Sequence, residues 1–419
     1  MYYRVKTDII STQKMAYRKI AFIGVSWAMA LNIITGIFSV VKISVSARIL
    51  SPEDFGIFGI ALLSLAFMQL LTETGLNVFL IQAKKNVSHY LDSAWVVSII
   101  RGFVISCLLI ILSPFVSHFF NSPRAFNLLI LMSLIPLLQG FINPAEIIFQ
   151  KELNFKYEFM FRISIYALDA FVTIVLVILT KSVFSLAFGM ISGVLLEIFI
   201  SFYFIKPVPK LIFNKKKLLE MFHKGKWVTF YGLLNYVAQN TDDIAVGKFL
   251  GANPLGIYQI AYKLATFSVT EVTDVVNKVF FPLYAKMSED KEKLRSAFLK
   301  STAVLSIIVI PINLIIFLFP KEIILLLVGS KWLGAINVLR VLAVYGMFRS
   351  LVGYPSSLFL ALGHQKFVAY MTFFRAITLV ITLLPFIYLF GMIGAAFAAI
   401  ASVIAEGPIV VYLLYKTFK

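Results

Sequence analysis

Basic residues inside long apolar stretches are the feature of this sequence that could do chemistry. These residues are Lys42, Arg101, Lys263, Arg349 and Arg375. A charge at the centre of a membrane helix costs roughly 2.5–3.5 kcal/mol on insertion scales, so such a residue usually faces a cavity or an acidic partner. An arginine can also donate to two phosphate oxygens at once. The bases therefore favour an anionic substrate. The alternative is that each base pairs with a nearby acid and only packs helices.

Acidic residues in the same stretches are candidates for gating and for ion coupling. Glu271 and Asp274 are three residues apart, which places them on one helical face as candidate proton or Na⁺ sites. Asp242 is equivalent to Lys42 in the repeat described below, so we predict that the two pair and close a gate. The alternative is that Asp242 caps its own helix end. Glu73 is a further gating candidate.

Amide and aromatic side chains on two neighbouring predicted helices are suited to sugar rings. Asn235 and Gln239 lie on the first of these helices, and Tyr258 and Tyr262 lie on the second. Aromatic rings can stack on sugars while amides hydrogen-bond to their hydroxyl groups. Amides also bridge helices inside a membrane bundle, and tyrosines mark membrane interfaces. Both interpretations stay open for these four residues.

The sequence contains no pattern that favours catalysis or a bound metal. The single cysteine, Cys107, lies in an apolar run, and the four histidines are scattered without the spacing of metal ligands. Neither a nucleophile–base constellation nor a phosphate-binding loop is present. The chain is therefore predicted not to be an enzyme, and to use no cofactor or metal apart from a coupling H⁺ or Na⁺.

The composition is that of a protein whose solvent is largely lipid. The 419 residues are 60% hydrophobic and 14% charged, with a mean hydropathy of +0.92. Soluble domains are about 45–50% apolar and about 25% charged. The net charge of +18 could suggest a nucleic-acid partner, but basic loops on one side of a membrane explain it better. The predicted fold is all-α and membrane-integral.

Apolar runs of roughly 20 residues predict about twelve transmembrane helices. The runs are 21–45, 56–82, 94–113, 126–149, 161–180, 183–205, 227–248, 256–283, 298–319, 336–362, 367–388 and 392–415. Most basic loop residues fall on one side, which the positive-inside rule makes cytoplasmic together with both termini. The predicted organisation is a cytoplasmic segment (1–20), a six-helix bundle (21–205), a basic cytoplasmic linker (206–226), a second six-helix bundle (227–415) and a short cytoplasmic tail (416–419).

An internal repeat relates the two predicted bundles. The stretch ARILSPEDFGIFGIA at 47–61 is echoed by GKFLGANPLGIYQIA at 247–261, so that Gly56 aligns with Gly256. A second echo aligns Glu197 with Glu406. These two acids are interpreted as caps at the cytoplasmic ends of their bundles or, alternatively, as ion-coupling sites, and the sequence leaves both roles open. Six predicted spans separate the copies, so the halves have the same orientation, which is a transporter architecture. The aligned glycines are interpreted as residues of tight hairpin turns.

These stretches resemble the bacterial polysaccharide transporter family, which includes the O-antigen (Wzx-type) flippases of the multidrug/oligosaccharidyl-lipid/polysaccharide exporter superfamily. The resemblance covers nearly the whole chain. Its most specific element is DDIAVGKFLGANPLGIYQIAYKLA, which contains Asp242, Gly247, Lys248 and Gly251.

The resemblance implies a MATE-like fold of two pseudo-symmetric six-helix bundles around a cationic central cavity. It also implies a flippase that moves a polyprenyl pyrophosphate-linked oligosaccharide, for O-antigen or another surface polysaccharide, from the cytoplasmic to the periplasmic leaflet of the bacterial inner membrane. The expected partners are this substrate, membrane lipids and polysaccharide polymerase machinery, with a monomer sufficing.

Three other functions are weighed against this one. A multidrug exporter of the same superfamily would share the fold but would favour a more apolar or acidic cavity. A flippase for a lipid-linked peptidoglycan precursor would need similar electrostatics. A membrane-embedded polymerase or glycosyltransferase would typically need a sizeable extracytoplasmic loop, and the predicted loops on that side are short.

Overall fold

The structure is a computed structural model that describes residues 2–72, 88–152, 154–212 and 215–419. In these ranges the regular secondary structure is helical throughout. The helices are α1 (Tyr2–Ile49), α2 (Pro52–Leu71), α3 (Ser88–Phe119), α4 (Arg124–Met132), α5 (Leu134–Gln139), α6 (Ile147–Lys151), α7 (Phe155–Thr180), α8 (Phe184–Phe204), α9 (Lys215–Leu250), α10 (Ala252–Lys286), α11 (Lys291–Leu318), α12 (Pro320–Leu327), α13 (Ile336–Gly353), α14 (Pro355–Ala361), α15 (Gln365–Phe390) and α16 (Met392–Phe418). Two short 3₁₀ helices cover Pro144–Glu146 and Ser330–Ala335.

Length and apolarity identify the chain as a multi-pass membrane protein. Among the described residues, nine helices are long and apolar enough to cross a membrane. Helices α9 and α10 are 36 and 35 residues long, roughly 50 Å each at 1.5 Å per residue. Both are too polar to meet the same criterion, as is expected of helices that line a polar cavity. The all-helical membrane fold is confirmed, and the total of twelve spans stays a prediction.

The predicted span over 126–149 is a broken segment rather than one helix. Helices α4 and α5 are separated at Ser133, and a 3₁₀ turn that begins at Pro144 follows. The fully buried Asn143 organises this turn, because its side chain accepts from the backbone N–H of Ala145 at 2.9 Å and donates to the carbonyl of Ser201 in α8 at 3.2 Å. These hydrogen bonds satisfy backbone groups that a continuous helix would have satisfied internally.

Two boundaries of the predicted organisation differ from the helices. Helix α1 runs without a break from Tyr2 to Ile49, so the segment 1–20 and the first predicted span belong to one helix. Helix α9 begins at Lys215 and takes in the second half of the predicted linker 206–226. Since local helix formation crosses both boundaries, the division into two bundles and a linker remains an interpretation of the sequence repeat.

The main contact between the two halves is the crossing of α2 and α10. A Cβ atom added at Gly56 would overlap the carbonyl oxygen of Ala252, and one added at Gly256 would overlap the carbonyl oxygen of Pro52. The two glycines that the repeat aligns therefore let the two backbones touch at one end of the molecule. The interpretation of these glycines as hairpin residues alone is wrong, because the absence of side chains at both positions lets the two halves contact each other backbone to backbone.

Two cations reinforce this end of the molecule in a pseudo-symmetric way. Arg48, at the end of α1, donates from Nη2 to the carbonyl of Leu326 at 2.6 Å. Its repeat equivalent Lys248, at the end of α9, donates from Nζ to the carbonyl of Phe119 at 2.7 Å. Each acceptor belongs to the last turn of a helix in the opposite half, where free carbonyls and the helix dipole favour a cation. Together with the glycine crossing, the two hydrogen bonds form what we call the closed end.

The closed end predicts a specific effect of small substitutions at its centre. Gly56→Ala should place a methyl group against the Ala252 carbonyl and destabilise the closed end by about 1–3 kcal/mol, the usual cost of overpacking. We expect the population open at this end to rise, as measured by labelling of Thr266→Cys in a Cys107→Ser background with a membrane-impermeant maleimide in intact cells.

Gly407→Ala is the matched control, since a Cβ at this helical glycine meets no atom within 4 Å. Equal labelling of Thr266→Cys with Gly56→Ala, with Gly407→Ala and with neither substitution would show that the glycine crossing does not hold this end shut.

Candidate functional site in the central cavity

The central cavity has two adjoining parts, of which the smaller one lies between the halves and the larger one is lined by the C-terminal half. The larger part, about 610 Å³, is lined mainly by α9, α10, α13, α15 and α16. The smaller part, about 360 Å³, is lined by α1, α7 and α10. Thr266 and Thr270 of α10 line both parts. The polar character of α10 thus has a structural reason, because this helix faces the cavity on two sides.

Most of the predicted site residues line this cavity. In the larger part they are Gln239, Asp242, Tyr262, Asp274, Arg349 and Arg375. In the smaller part they are Lys42, Lys263 and Glu271. Glu271 and Asp274 face different parts of the cavity. Glu73 lies outside the described residues.

Three predicted residues are engaged elsewhere. Arg101 donates from Nη2 to the carbonyl of Gln69 at 2.7 Å and from Nε to the Thr72 hydroxyl at 3.3 Å, which places it at the C-terminal end of α2. The side chain of Tyr258 is fully buried, so it presents no face to a sugar. Asn235 accepts a 3.0 Å hydrogen bond from Nε2 of Gln239 along one face of α9. For Arg101 and Tyr258 the packing interpretation therefore describes the structure better than the binding one.

The predicted pairing of Lys42 with Asp242 is wrong for this structure. Lys42 Nζ instead forms a 2.6 Å ion pair with Asp169 of α7, inside the same half of the chain. Asp242 accepts a 2.7 Å hydrogen bond from the hydroxyl of Tyr258. The physical reason is the crossing described above: the second helix of each half meets its equivalent, so the first helices are held apart and their charges find local partners.

The bases of the smaller part sit beside acceptors from neighbouring helices. Lys263 Nζ donates to the hydroxyl of Ser39 in α1 at 3.1 Å. Glu271 lines the same part, and its buried Oε2 has no hydrogen-bond partner among the described residues. An apolar pocket of about 290 Å³ adjoins this part and shares Lys263 and Phe267 with it. The amine of Lys263 therefore lies where the smaller part of the cavity meets the apolar pocket.

Two arginines converge on one carboxylate in the larger part. Nη1 of Arg349, from α13, and Nη1 of Arg375, from α15, each lie 3.9 Å from Oε2 of Glu406 in α16. The hydroxyl groups of Tyr262 and Tyr345 lie 3.3 Å apart in the same region. Gly353 makes room for Arg349, because a Cβ there would overlap the guanidinium.

The cavity as a whole carries both signs of charge. The expectation of a plainly cationic cavity is not met, because Asp242, Asp243 and Asp274 line the larger part together with the two arginines. In the smaller part Lys42 is compensated by Asp169. The positive charge is therefore local: among the described residues Lys263 has no ion-pair partner, and Arg349 and Arg375 share the carboxylate of Glu406.

The comparison with known families now identifies the chain. Residues 45–337 match the profile of a family described as "Polysaccharide biosynthesis protein". The chain belongs to this family. The match spans the closed end, all of α10 and the start of α13. The predicted resemblance to polysaccharide transporters is thus confirmed.

One relative in sequence and two solved structures can be compared with this member of the polysaccharide biosynthesis family. The lipopolysaccharide biosynthesis protein WzxC of Escherichia coli (strain K12) is 28% identical over 345 residues, which cover 81% of this chain and 70% of WzxC. The lipid II flippase MurJ, in an inward closed conformation, superposes with a TM-score of 0.75 at 15% identity, over 95% of this chain and 89% of that one. An inward-facing MATE multidrug transporter superposes with a TM-score of 0.73 at 15% identity, over 92% and 94%. The MATE-like fold is confirmed.

Sequence reasoning missed two members of the site in this polysaccharide biosynthesis protein. Tyr345 was not singled out, because a tyrosine in an apolar span has no distinctive signal. Glu406 was expected to cap a helix end, whereas it lies 2% exposed between two arginines. The echo that aligns Glu406 with Glu197 was the available signal, since a repeated intramembrane acid needs a partner in each half.

The ion pair between Lys42 and Asp169 predicts a non-additive response to substitution. Lys42→Met should destabilise the protein by about 3–5 kcal/mol, because the Asp169 carboxylate is left uncompensated in the membrane interior. Asp169→Asn should do likewise, and the double substitution should recover much of the loss. The measurement is thermal unfolding of the purified variants in detergent.

Lys300→Met, which removes an exposed lysine near the start of α11, is the control for the loss of a base. Additive losses in the Lys42→Met/Asp169→Asn double variant would contradict the pairing.

Proposed function

We propose that this protein is a flippase that moves a lipid-linked oligosaccharide across a membrane by alternating access. The observation that carries the proposal is a charged cavity inside the membrane domain that is shut at one end by pseudo-symmetric contacts between two halves. A cavity closed on one side and bounded by two similar halves can present its contents to each side in turn. Membership of a polysaccharide biosynthesis family supports a glycan as the cargo.

The cavity offers a surface for each chemical part of such a substrate. Guanidinium and ammonium groups of Arg349, Arg375 and Lys263 suit a pyrophosphate. The amide of Gln239 and the ring of Tyr262 suit the sugars. The apolar pocket beside Lys263 suits the first isoprene units of the lipid, since an apolar cavity of about 150 Å³ already accommodates benzene. The chain would then occupy the apolar pocket while its charged and sugar groups occupy the polar one.

The direction and setting of transport follow from the loops. The basic loops support a cytoplasmic position of both termini, and the closed end would then face the periplasm in the bacterial inner membrane. The substrate would enter from the cytoplasmic leaflet and leave into the periplasmic one. One chain holds both halves of the cavity, which supports a monomeric transporter that hands its product to polysaccharide polymerase machinery.

The energy source that we propose is a proton or Na⁺ gradient acting through the acids of α10. Glu271 supports this role because one of its buried oxygens has no hydrogen-bond partner among the described residues. Asp274 lies one turn further along α10 and lines the larger part of the cavity. An ion bound here would change the charge that the cavity presents to an anionic substrate.

A deletion strain tests the proposed function directly. Cells that lack the protein should accumulate complete undecaprenyl-linked glycan and lose the corresponding surface polysaccharide, because the substrate is built but not moved. Extracted lipid-linked glycans are analysed by mass spectrometry, with a strain complemented by the wild-type gene as the control.

Two other outcomes would overturn the flippase. Unchanged glycolipids with altered sensitivity to cationic drugs would indicate a multidrug exporter, the second candidate, which the acids Asp242, Asp243 and Asp274 in the cavity favour. Accumulation of truncated glycan would indicate an enzyme of glycan assembly.

Ion coupling is tested by a substitution that keeps the shape of the side chain. An imposed proton or Na⁺ gradient should accelerate transport by the wild type. In Glu271→Gln this acceleration should be smaller by about tenfold or more, a change of about 1.4 kcal/mol. Transport of a fluorescent lipid-linked glycan is followed in proteoliposomes with imposed gradients. Glu289→Gln, an exposed residue beyond the end of α10, is the control. Full retention of the gradient dependence by Glu271→Gln would assign coupling to other groups.

A further inference from the structure

The equivalent charge clusters of the two halves have diverged. In the N-terminal half, Arg162 Nη1 forms a 2.6 Å ion pair with Glu197, and its Nη2 lies 3.4 Å from Glu146. In the C-terminal half, the aligned acid Glu406 lies beside two arginines, and no second acid pairs with either of them in the part of the chain that the structure describes. The first cluster thus has one base for two acids, and the second has two bases for one acid.

Sequence differences between the halves explain why the two equivalent clusters differ in their ratio of bases to acids. Glu146 ends the 3₁₀ helix Pro144-Ala-Glu, and the corresponding segment Pro355-Ser-Ser forms the first residues of α14, so a serine stands in place of the second acid. Arg375 stands four residues further along its helix than the position equivalent to Arg162, which is one turn or about 6 Å along the axis. Arg349 of α13 is an additional base. These changes leave one more base than acid in the C-terminal cluster and one more acid than base in the N-terminal cluster, as the described residues form them.

The contacts in the C-terminal cluster are long for a buried carboxylate and its two guanidinium partners, of which Arg375 is buried and Arg349 is 30% exposed. Both distances to Glu406 Oε2 are 3.9 Å, beyond hydrogen-bond range. Among the described residues, neither arginine donates a hydrogen bond, and Glu406 Oε2 accepts none. The side chains of Arg375 and Glu406 are 8% and 2% exposed, so water has little access to form hydrogen bonds with them. Buried donors of this kind call for an acceptor.

We infer that Arg349 and Arg375 form a seat for the pyrophosphate of the substrate, and that Glu406 is a resident counter-ion with which this pyrophosphate competes. The inference rests on the proposed function and names the half that holds the anion. When no pyrophosphate is bound, the negative charge of Glu406 lowers the free-energy cost of holding two guanidinium groups inside the membrane. It also weakens the hold on a bound anion by like-charge repulsion, so that the anion can leave. Glu197 has no such role, because its only base is already fully engaged.

Binding of inorganic pyrophosphate and of farnesyl pyrophosphate to purified protein, measured by isothermal titration calorimetry, tests the inference. Removing the competing charge with Glu406→Gln should tighten binding of both probes by about tenfold or more, or about 1.4 kcal/mol. Arg349→Gln should weaken binding by a similar factor. Glu197→Gln is the matched control and should leave the affinity unchanged. If Glu406→Gln is not recovered as monodisperse protein, Glu406→Asp replaces it and should tighten binding by a smaller factor.

The outcomes separate this inference from the proposed function. Equal affinities of the wild type and Glu406→Gln, or an equal gain with Glu197→Gln, would overturn the counter-ion. Absence of pyrophosphate binding in a protein whose deletion still causes lipid-linked glycan to accumulate would overturn the seat while the flippase stands. Tightening with Glu406→Gln alone, accompanied by slower export in cells, would establish both the seat and the release role of Glu406.

Discussion

The rest of the structure depends on the backbone contact between α2 and α10 at Gly56 and Gly256. Two helices approach this closely only where both lack side chains. Because the second helix of each half occupies the axis at this end, the first helices α1 and α9 are held to the sides. The cavity then lies beyond the crossing, with α10 running along it from the closed end. The requirement for two glycines at the crossing thus sets the position of the closed end, of the cavity and of the polar face of α10.

Most charges inside the membrane are neutralised close to where the chain introduces them. Lys42 pairs with Asp169, and Arg162 pairs with Glu197. Arg101 is held by the free carbonyl end of a helix. Since each isolated charge is costly in this medium, local pairing is the default arrangement. The arginines beside Glu406 are paired only at 3.9 Å, and Lys263 forms no ion pair among the described residues, so these cavity bases are the ones able to respond to a ligand.

The two halves are symmetric where they contact each other at the closed end and differ in the charge clusters around Glu197 and Glu406. The glycine crossing and the hydrogen bonds of Arg48 and Lys248 are paired across the repeat. A gate between two bundles benefits from matched contacts, because both bundles move when it opens. A substrate with one anionic group needs only one seat, so the second copy of a charge cluster is free to become a structural ion pair. Duplication supplied both copies, and their functions then diverged.

The sequence by itself determined the membrane class, the all-helical fold and the repeat that aligns the two glycines of the closed end. Apolar length and composition respond to the lipid environment, and the aligned motifs around Gly56 and Gly256 are local. Only the tertiary structure decided which charges meet. Lys42 turned away from Asp242, and Tyr258 became fully buried. Glu406 came to lie between two arginines from separate helices. These pairings depend on how each helix is rotated and crossed, which packing across the whole bundle sets and no local pattern records.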